Sequence, residues 1–244
     1  FEDFINEENN FLPPDNYQEH PVEAIAHRTS PTNIGLALLS HLSAVDFGFS
    51  TLPLLIKSTK ETFSTLNKME RIRGHFYNWY DTISLNPLNP KYISSVDSGN
   101  LAGHLMVFIQ GLLSMPHQKI IQPEFFTGLK TTMRIIKESI TENENTQFKV
   151  ITEKLDETRE HSPESLFSIY AILQTLSTEI KKVENNFHGI TSYWIRKFET
   201  QVQQCLDELE MYTPWVENTG QEKIKELSFF AKIPTWSELA DATN

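Results

Sequence analysis

Apolar residues recur at helical spacing along almost the whole chain, and no convincing run of alternating apolar and polar residues predicts a strand. The first helix is predicted to begin at Ser30-Pro31, where a capping serine precedes a proline, and to end near Gly48. A second helix is predicted at about 53–71, and the two are expected to form a helical hairpin. The fold class is therefore predicted to be all-α.

A long irregular stretch separates these two helices from the next ones. Residues 73–100 contain several glycines and prolines, and helical spacing resumes only at Leu101. Long connections of this kind are usually functional, so this stretch is a candidate site. Beyond Pro116, helices are predicted at about 123–141, 146–160, 164–187 and 190–212, the last two with heptad-like seams.

Formal charge divides the chain into two regions. Four charged residues lie in the stretch 74–121, namely Asp81, Lys91, Asp97 and Lys119, whereas seven acidic residues fall within 138–160. The first region is interpreted as buried or site-lining, and the second as a solvated helical face.

Composition excludes several classes of function. The 244 residues are 39% hydrophobic and 22% charged, which is ordinary for a soluble globular protein. The net charge of −11 argues against a nucleic-acid partner. Cys205 is the single cysteine and His27, His75 and His104 are scattered, so neither a metal site nor a cofactor is predicted.

The chain is expected to be a soluble piece of a longer protein. Its apolar runs are far shorter than the roughly 20 residues of a membrane span, so no span is predicted. It opens without methionine, and a helix-start signal of capping-box form, Thr235-Trp236-Ser237-Glu238, stands just before its end.

The segment 74–82 holds four aromatic residues together with the Asn78 amide and the Asp81 carboxylate. Aromatic rings can stack on the C–H faces of sugars while amides and carboxylates bond the hydroxyls, so a neutral polyol is the predicted ligand. The alternative is that the aromatic residues plug the end of a helical bundle and that Asp81 caps a turn.

The segment 96–104 is a second candidate. Asp97 or Ser98 is predicted to cap a helix starting near Asn100. Asp81 and Asp97 are the acids of this charge-poor region, as a pair of carboxylates for glycosidic-bond chemistry requires. Arg28 precedes the first helix and is predicted to orient a carboxylate or to bond sugar hydroxyls, with a plain surface arginine as the alternative.

Four segments resemble, in the same order and at similar spacing, the central region of bacterial cyclic β-1,2-glucan synthases. They are residues 13–18 (PPDNYQ), 26–36 (AHRTSPTNIGL), 74–82 (GHFYNWYDT) and 92–104 (YISSVDSGNLAGH). Members of that family are large inner-membrane proteins in which one region elongates a β-1,2-glucan, a central glycoside-hydrolase-like region cyclises it by transglycosylation, and a C-terminal region trims chains.

The resemblance implies an (α/α) toroid, divided into an N-terminal flank (1–27), a motif-bearing part (28–122) and a long helical segment that is an insertion or a continuation (123–244). Such a toroid needs more helices than this chain offers, so the isolated chain is expected to show little or no turnover. The implied partners are β-1,2-glucan and neighbouring domains of the parent protein, which is expected in the bacterial inner membrane.

The resemblance also implies roles for single residues. Asp81 and Asp97 are the catalytic candidates, although each could bind hydroxyls instead. The residues implied to contact glucan or shape the site are Arg28, Asn78, Trp79, Tyr80 and Asn100. Two other functions stay open: simple hydrolysis of the same polymer, and a non-catalytic scaffold that docks other domains through the seams at 164–187 and 190–212.

Overall fold

The computed structural model describes residues 3–214 and 232–242, and these residues are mainly helical. The α-helices are Pro31–Asp46 (α1), Leu52–Leu66 (α2), Ser95–Ser114 (α3), Pro123–Glu138 (α4), Lys149–Glu160 (α5), Leu166–Val183 (α6), Gly189–Tyr212 (α7) and Trp236–Ala242 (α8). This confirms the all-α fold class, while the toroid stays a prediction.

Six strands of two residues each form three antiparallel pairs in the described residues. The pairs are Tyr17–Gln18 (β1) with Ala24–Ile25 (β2), Arg28–Thr29 (β3) with Tyr80–Asp81 (β6), and Arg71–Ile72 (β4) with His75–Phe76 (β5). The pair β3 and β6 matters most here, because it joins two of the four motif segments.

Two predicted helix ends were wrong. Helix α2 ends at Leu66 rather than near 71, because Arg71–Ile72 form β4, which pairs with β5 across a turn in which Arg73 and Gly74 take positive φ. Helix α3 begins at Ser95 rather than near Asn100. Its cap is Ser94, whose Oγ accepts a hydrogen bond from the Asp97 backbone N–H, so that Asp97 lies inside the first turn.

The described chain divides into two compact units. Unit 1 comprises the described residues up to Ala44 together with Leu52–Met115, and it contains all the predicted site residues. In its interior α1 lies against α3, with Gly35 facing His104 and Gly111 facing Leu42. Its apolar core is formed by Leu12, Ile34, Leu66, Met69, Tyr80 and Leu101.

Unit 2 comprises Val45–Thr51 and the described residues from Pro116 onward. Helices α4 to α7 bury one continuous apolar cluster. The heptad-like seams of α6 and α7 belong to this cluster, which includes Leu173, Ile180, Phe198, Val202 and Cys205. The thiol of Cys205 is buried, as expected for a core residue.

The segment Val45–Thr51 is attached to the helices of unit 2 through Gly48. Gly48 is buried and has φ of 75°, a left-handed conformation that favours glycine. Its carbonyl oxygen accepts a hydrogen bond of 2.6 Å from Gln201 Nε2 on α7. The same carbonyl lies against Gly128 of α4, so backbone meets backbone without an intervening side chain.

Helix α8 begins with the predicted capping box. The Thr235 backbone N–H donates to Glu238 Oε2 at 2.7 Å, and the Glu238 backbone N–H donates to Thr235 Oγ1 at 3.2 Å. Backbone bonds tie this segment to the chain before α4, since Ile120 N–H donates to the Pro234 carbonyl. Among the described helices, none combines the length and apolar composition that crossing a membrane requires.

Candidate functional site

Arg28 lies beside the Trp79 ring in unit 1. The antiparallel pairing of β3 with β6 sets Arg28 opposite Asp81, so the neighbouring Trp79 comes within reach of the guanidinium. The Arg28 Cζ atom lies 5.0 Å from the centroid of the Trp79 ring, a cation–π distance. The carboxylate that Arg28 binds is Asp15, whose Oδ2 accepts from Arg28 Nε at 3.1 Å and from Nη2 at 2.8 Å.

The buried Asn78 amide connects three side chains. Trp79 Nε1–H can only donate and the Asp97 carboxylate can only accept, which fixes the orientation of the amide between them. The Asn78 nitrogen then donates to Asp97 Oδ2 at 2.8 Å, and its oxygen accepts from Trp79 Nε1 at 2.5 Å and from Tyr92 Oη at 2.7 Å. Asn78 therefore holds the Trp79 indole and the Asp97 carboxylate in a fixed relation.

Asp97 also accepts a hydrogen bond from the motif segment 26–36. Its Oδ1 accepts from Thr32 Oγ1 at 2.6 Å. Burial raises the pKa of Asp97, but hydrogen bonds led by those from Ser94 and Thr32 lower it more, so the pKa lies below the ordinary 3.8. Asp97 is thus ionised at neutral pH and suited to accept hydroxyls rather than to donate a proton.

Asn100 completes the cluster at the solvent-exposed side. Its Nδ2 donates to Thr32 Oγ1 at 3.1 Å, the same hydroxyl that donates to Asp97. Five of the predicted residues are thereby brought together through direct contacts or one shared partner: Arg28, Asn78, Trp79, Asp97 and Asn100.

Asp81 has a different set of partners. Its Oδ1 accepts from the backbone N–H groups of Ser84 at 2.7 Å and Ile83 at 3.0 Å, closing the turn after β6. The Ser84 N–H is the main reason why the pKa of Asp81 lies below its ordinary 3.8. The geometry therefore matches the turn-capping alternative for Asp81, and within the described residues no hydrogen bond joins Asp81 to Asp97.

Tyr80 is fully buried, with 0% of its surface exposed. Its hydroxyl donates to the Glu70 carbonyl at 2.7 Å and accepts from the Tyr77 backbone N–H at 2.7 Å. In this conformation Tyr80 shapes the site from within the core of unit 1, because a ring without exposed surface cannot contact a ligand.

Sequence reasoning missed three polar residues of this cluster: Asp15, Thr32 and Tyr92. All three stand inside the motif segments, but their residue types gave no signal of their own. Asp15 follows two prolines, Thr32 lies in the first turn of α1, and Tyr92 lies in an irregular stretch. Only the fold shows that they meet Arg28, Asp97 and Asn78.

We expect the lowered pKa values of Asp81 and Asp97 to make unit 1 acid-sensitive. A carboxylate whose pKa is lowered by folding stabilises the fold at pH values above its ordinary pKa. This stabilisation is lost as the pH falls through the folded-state pKa. Replacing Asp97 with asparagine should lower Tm by about 2 to 4 °C near neutral pH, with a smaller difference below about pH 3. Thermal unfolding measured between neutral pH and about pH 3 checks the result, and Glu19→Gln, at an exposed position, is the control. A Tm difference between Asp97→Asn and wild type that stays unchanged at low pH would contradict the prediction.

Unit 2 contains a separate titratable group that sequence reasoning also missed. Glu208 of α7 receives a hydrogen bond of 2.5 Å from Thr51 Oγ1 and lines a small apolar cavity beside Cys205 and Trp236. Burial raises the pKa of Glu208 to about 7. The available signal was its position three residues after Cys205, on the core-facing side of α7.

Within residues 3–214 and 232–242, no three histidine, cysteine, aspartate or glutamate side chains lie close enough together to bind a metal ion.

Comparison with known proteins gives one informative similarity. No protein-family model matches the chain. Over 106 residues, or 43% of its length, the chain is 54% identical to the cyclic β-(1,2)-glucan synthase NdvB of Rhizobium meliloti strain 1021. The aligned segment makes up only 4% of that synthase. The similarity shows a relation to a glucan synthase, without showing to which of its regions.

Proposed function

We propose that this chain binds β-1,2-glucan at the cluster around Trp79 and Asp97 in unit 1, as part of a polypeptide related to cyclic glucan synthases. The observation that carries the proposal is the convergence of segments far apart in the sequence. Asp15, Arg28, Asn78 and Asp97 come from the four motif segments, and all join one network of polar and aromatic side chains.

The chemistry of the cluster suits a sugar. The Trp79 indole N–H is already bonded to Asn78, so Trp79 offers a ligand its ring rather than a donor. Arg28 retains N–H groups beyond those bonded to Asp15, and the ionised Asp97 carboxylate is a hydrogen-bond acceptor. A ring, donors and an ionised acceptor side by side can contact the C–H face and the hydroxyls of one glucose residue.

In the intact enzyme we propose that the bound glucan undergoes transglycosylation, which closes the chain into a ring. A retaining transfer needs a carboxylate that attacks the sugar carbon and a second group that protonates the leaving oxygen. The low pKa of Asp97 is compatible with hydroxyl binding or with attack, but not with proton donation. We therefore expect the isolated chain to bind glucan without turning it over.

Hydrolysis of the same polymer is the second candidate reaction. Transfer and hydrolysis differ in whether a sugar hydroxyl or water reaches the intermediate, so the two are separated by whether cyclic or shortened linear glucans accumulate. The scaffold alternative keeps only part of its proposed surface. Leu173 and most seam residues of α6 and α7 are buried inside unit 2, whereas Trp194 is partly exposed and Tyr212 is exposed.

Titration calorimetry with linear β-1,2-glucan oligosaccharides tests the proposal, since it needs no tryptophan as a reporter. We expect saturable binding by the wild type and at least about tenfold weaker binding by Trp79→Ala, because the stacking surface is lost. Phe63→Ala, which removes a partly exposed ring of α2 in the same unit, is the matched control and should bind normally. No binding by a folded wild type would sink the proposal.

A further inference from the structure

Asp15 lies outside the predicted site, yet it is the residue that fixes Arg28. Its Oδ2 accepts from both Nε and Nη2 of Arg28, and its Oδ1 accepts from Asn33 Nδ2 at 3.2 Å. The Asp15 side chain is 20% exposed and that of Arg28 is 52% exposed. A fixed, partly buried carboxylate thus determines where an accessible guanidinium stands beside the Trp79 ring.

The charges of the cluster determine which sugars it can accept. Arg28 is its one cation, Asp15 neutralises that cation at 2.8 Å, and Asp97 adds a negative charge through the Asn78 bridge. An anionic substituent on a sugar would meet a guanidinium whose charge is already compensated, with a carboxylate close by. A nearby carboxylate disfavours binding of an anionic sugar, and a guanidinium without a paired carboxylate favours it. Selectivity between neutral and anionic sugars therefore depends on whether Arg28 is neutralised.

We propose that Asp15 is a specificity-determining residue that holds Arg28 against Trp79 and neutralises it, so that the site takes uncharged glucan and rejects anionic glucan. This inference rests on the proposed function, because it concerns the selectivity of the same site. Asp15 acts through Arg28 and is a positioning residue, not a catalytic one.

The test compares two probes in the same calorimetric titration: linear β-1,2-glucan and the same oligosaccharides carrying sulfate groups. For the wild type we expect the neutral probe to bind more tightly. In Asp15→Asn, which keeps the side-chain size and removes the charge, we expect the ratio of the two affinities to shift toward the sulfated probe by about fivefold or more. Neutral binding should weaken by only about threefold, because Arg28 is less firmly held.

Two further variants separate this role from a general structural one. Glu70→Gln also removes one negative charge from unit 1 at an ion pair, that with Lys91, and should leave the ratio unchanged. The double variant Asp15→Asn with Arg28→Met should lose the gain for the sulfated probe, because the freed guanidinium is absent.

The outcomes distinguish the two proposals. A wild type that binds neither probe overturns the proposed function. A wild type that binds neutral glucan, with a ratio that Asp15→Asn leaves unchanged or that Glu70→Gln shifts equally, overturns the role of Asp15 alone.

Discussion

Replacing Gly48 with alanine is expected to destabilise unit 2 by about 3 to 4 kcal/mol. Two costs add. The left-handed backbone of Gly48, with φ of 75°, strains any residue that has a Cβ atom. In addition, the new methyl would overlap the backbone of Glu124 and Phe125 at the start of α4, which cannot move aside as a flexible side chain could.

Gly189→Ala is the matched control, because Gly189 also has positive φ, at 63°, but a Cβ atom there would meet nothing within 4 Å. It should cost only the backbone strain, about 1 kcal/mol. Urea unfolding followed by circular dichroism measures both variants. Equal losses in the free energy of unfolding for Gly48→Ala and Gly189→Ala would show that the close approach of Gly48 to α4 adds nothing to the cost of the methyl group.

Replacing Glu208 with glutamine is expected to stabilise unit 2 at pH 8 and to have little effect near pH 4. The pKa of Glu208 is raised from its ordinary 4.5 to about 7, so the folded state holds a proton that the unfolded state has released. Stability therefore falls as the pH rises from about 4.5 to about 7 and stays low above that range. Because Glu208 is partly exposed, the expected stabilisation by Glu208→Gln at pH 8 is about 2 kcal/mol, less than the full value that the pKa shift implies.

Glutamine keeps a neutral oxygen that can accept the Thr51 hydroxyl, so the hydrogen bond itself is retained. The measurement is the difference in free energy of unfolding between variant and wild type at pH 4.5, 6 and 8. Glu199→Gln, the same substitution on the same helix, should show no such trend. A difference between Glu208→Gln and wild type that is the same at every pH would show that folding does not raise the pKa of Glu208.

The sequence could predict the helices because their apolar spacing and capping residues are local signals. Ser30-Pro31 marked the start of α1, and Thr235 with Glu238 marked the start of α8. The start of α3 was predicted wrongly, because Asp97 and Ser98 are also residues that commonly cap helices. The folded chain shows that Ser94 accepts the capping hydrogen bond instead.

The candidate site was predicted by its residue types, but the partners of those residues were not. Asn78, Trp79 and Asp97 were singled out because an amide, a ring and a carboxylate stand out in a charge-poor region. That Asp81 closes a turn and Tyr80 fills the core depends on which way each side chain faces along β6, since successive side chains of a strand alternate. Long-range partners such as Asp15 leave no trace in local composition.

The hydrogen bond between Thr32 and Asp97 joins residues 65 positions apart in the sequence, and this separation affects the order in which unit 1 folds. Contacts this distant in sequence form only after a long loop has closed, and closure carries an entropic penalty that local helix formation does not. We infer that the helices of unit 1 can form while the cluster around Trp79 and Asp97 is still open. Trp79 fluorescence during refolding would then report closure of this cluster, whereas helical circular dichroism would report earlier steps.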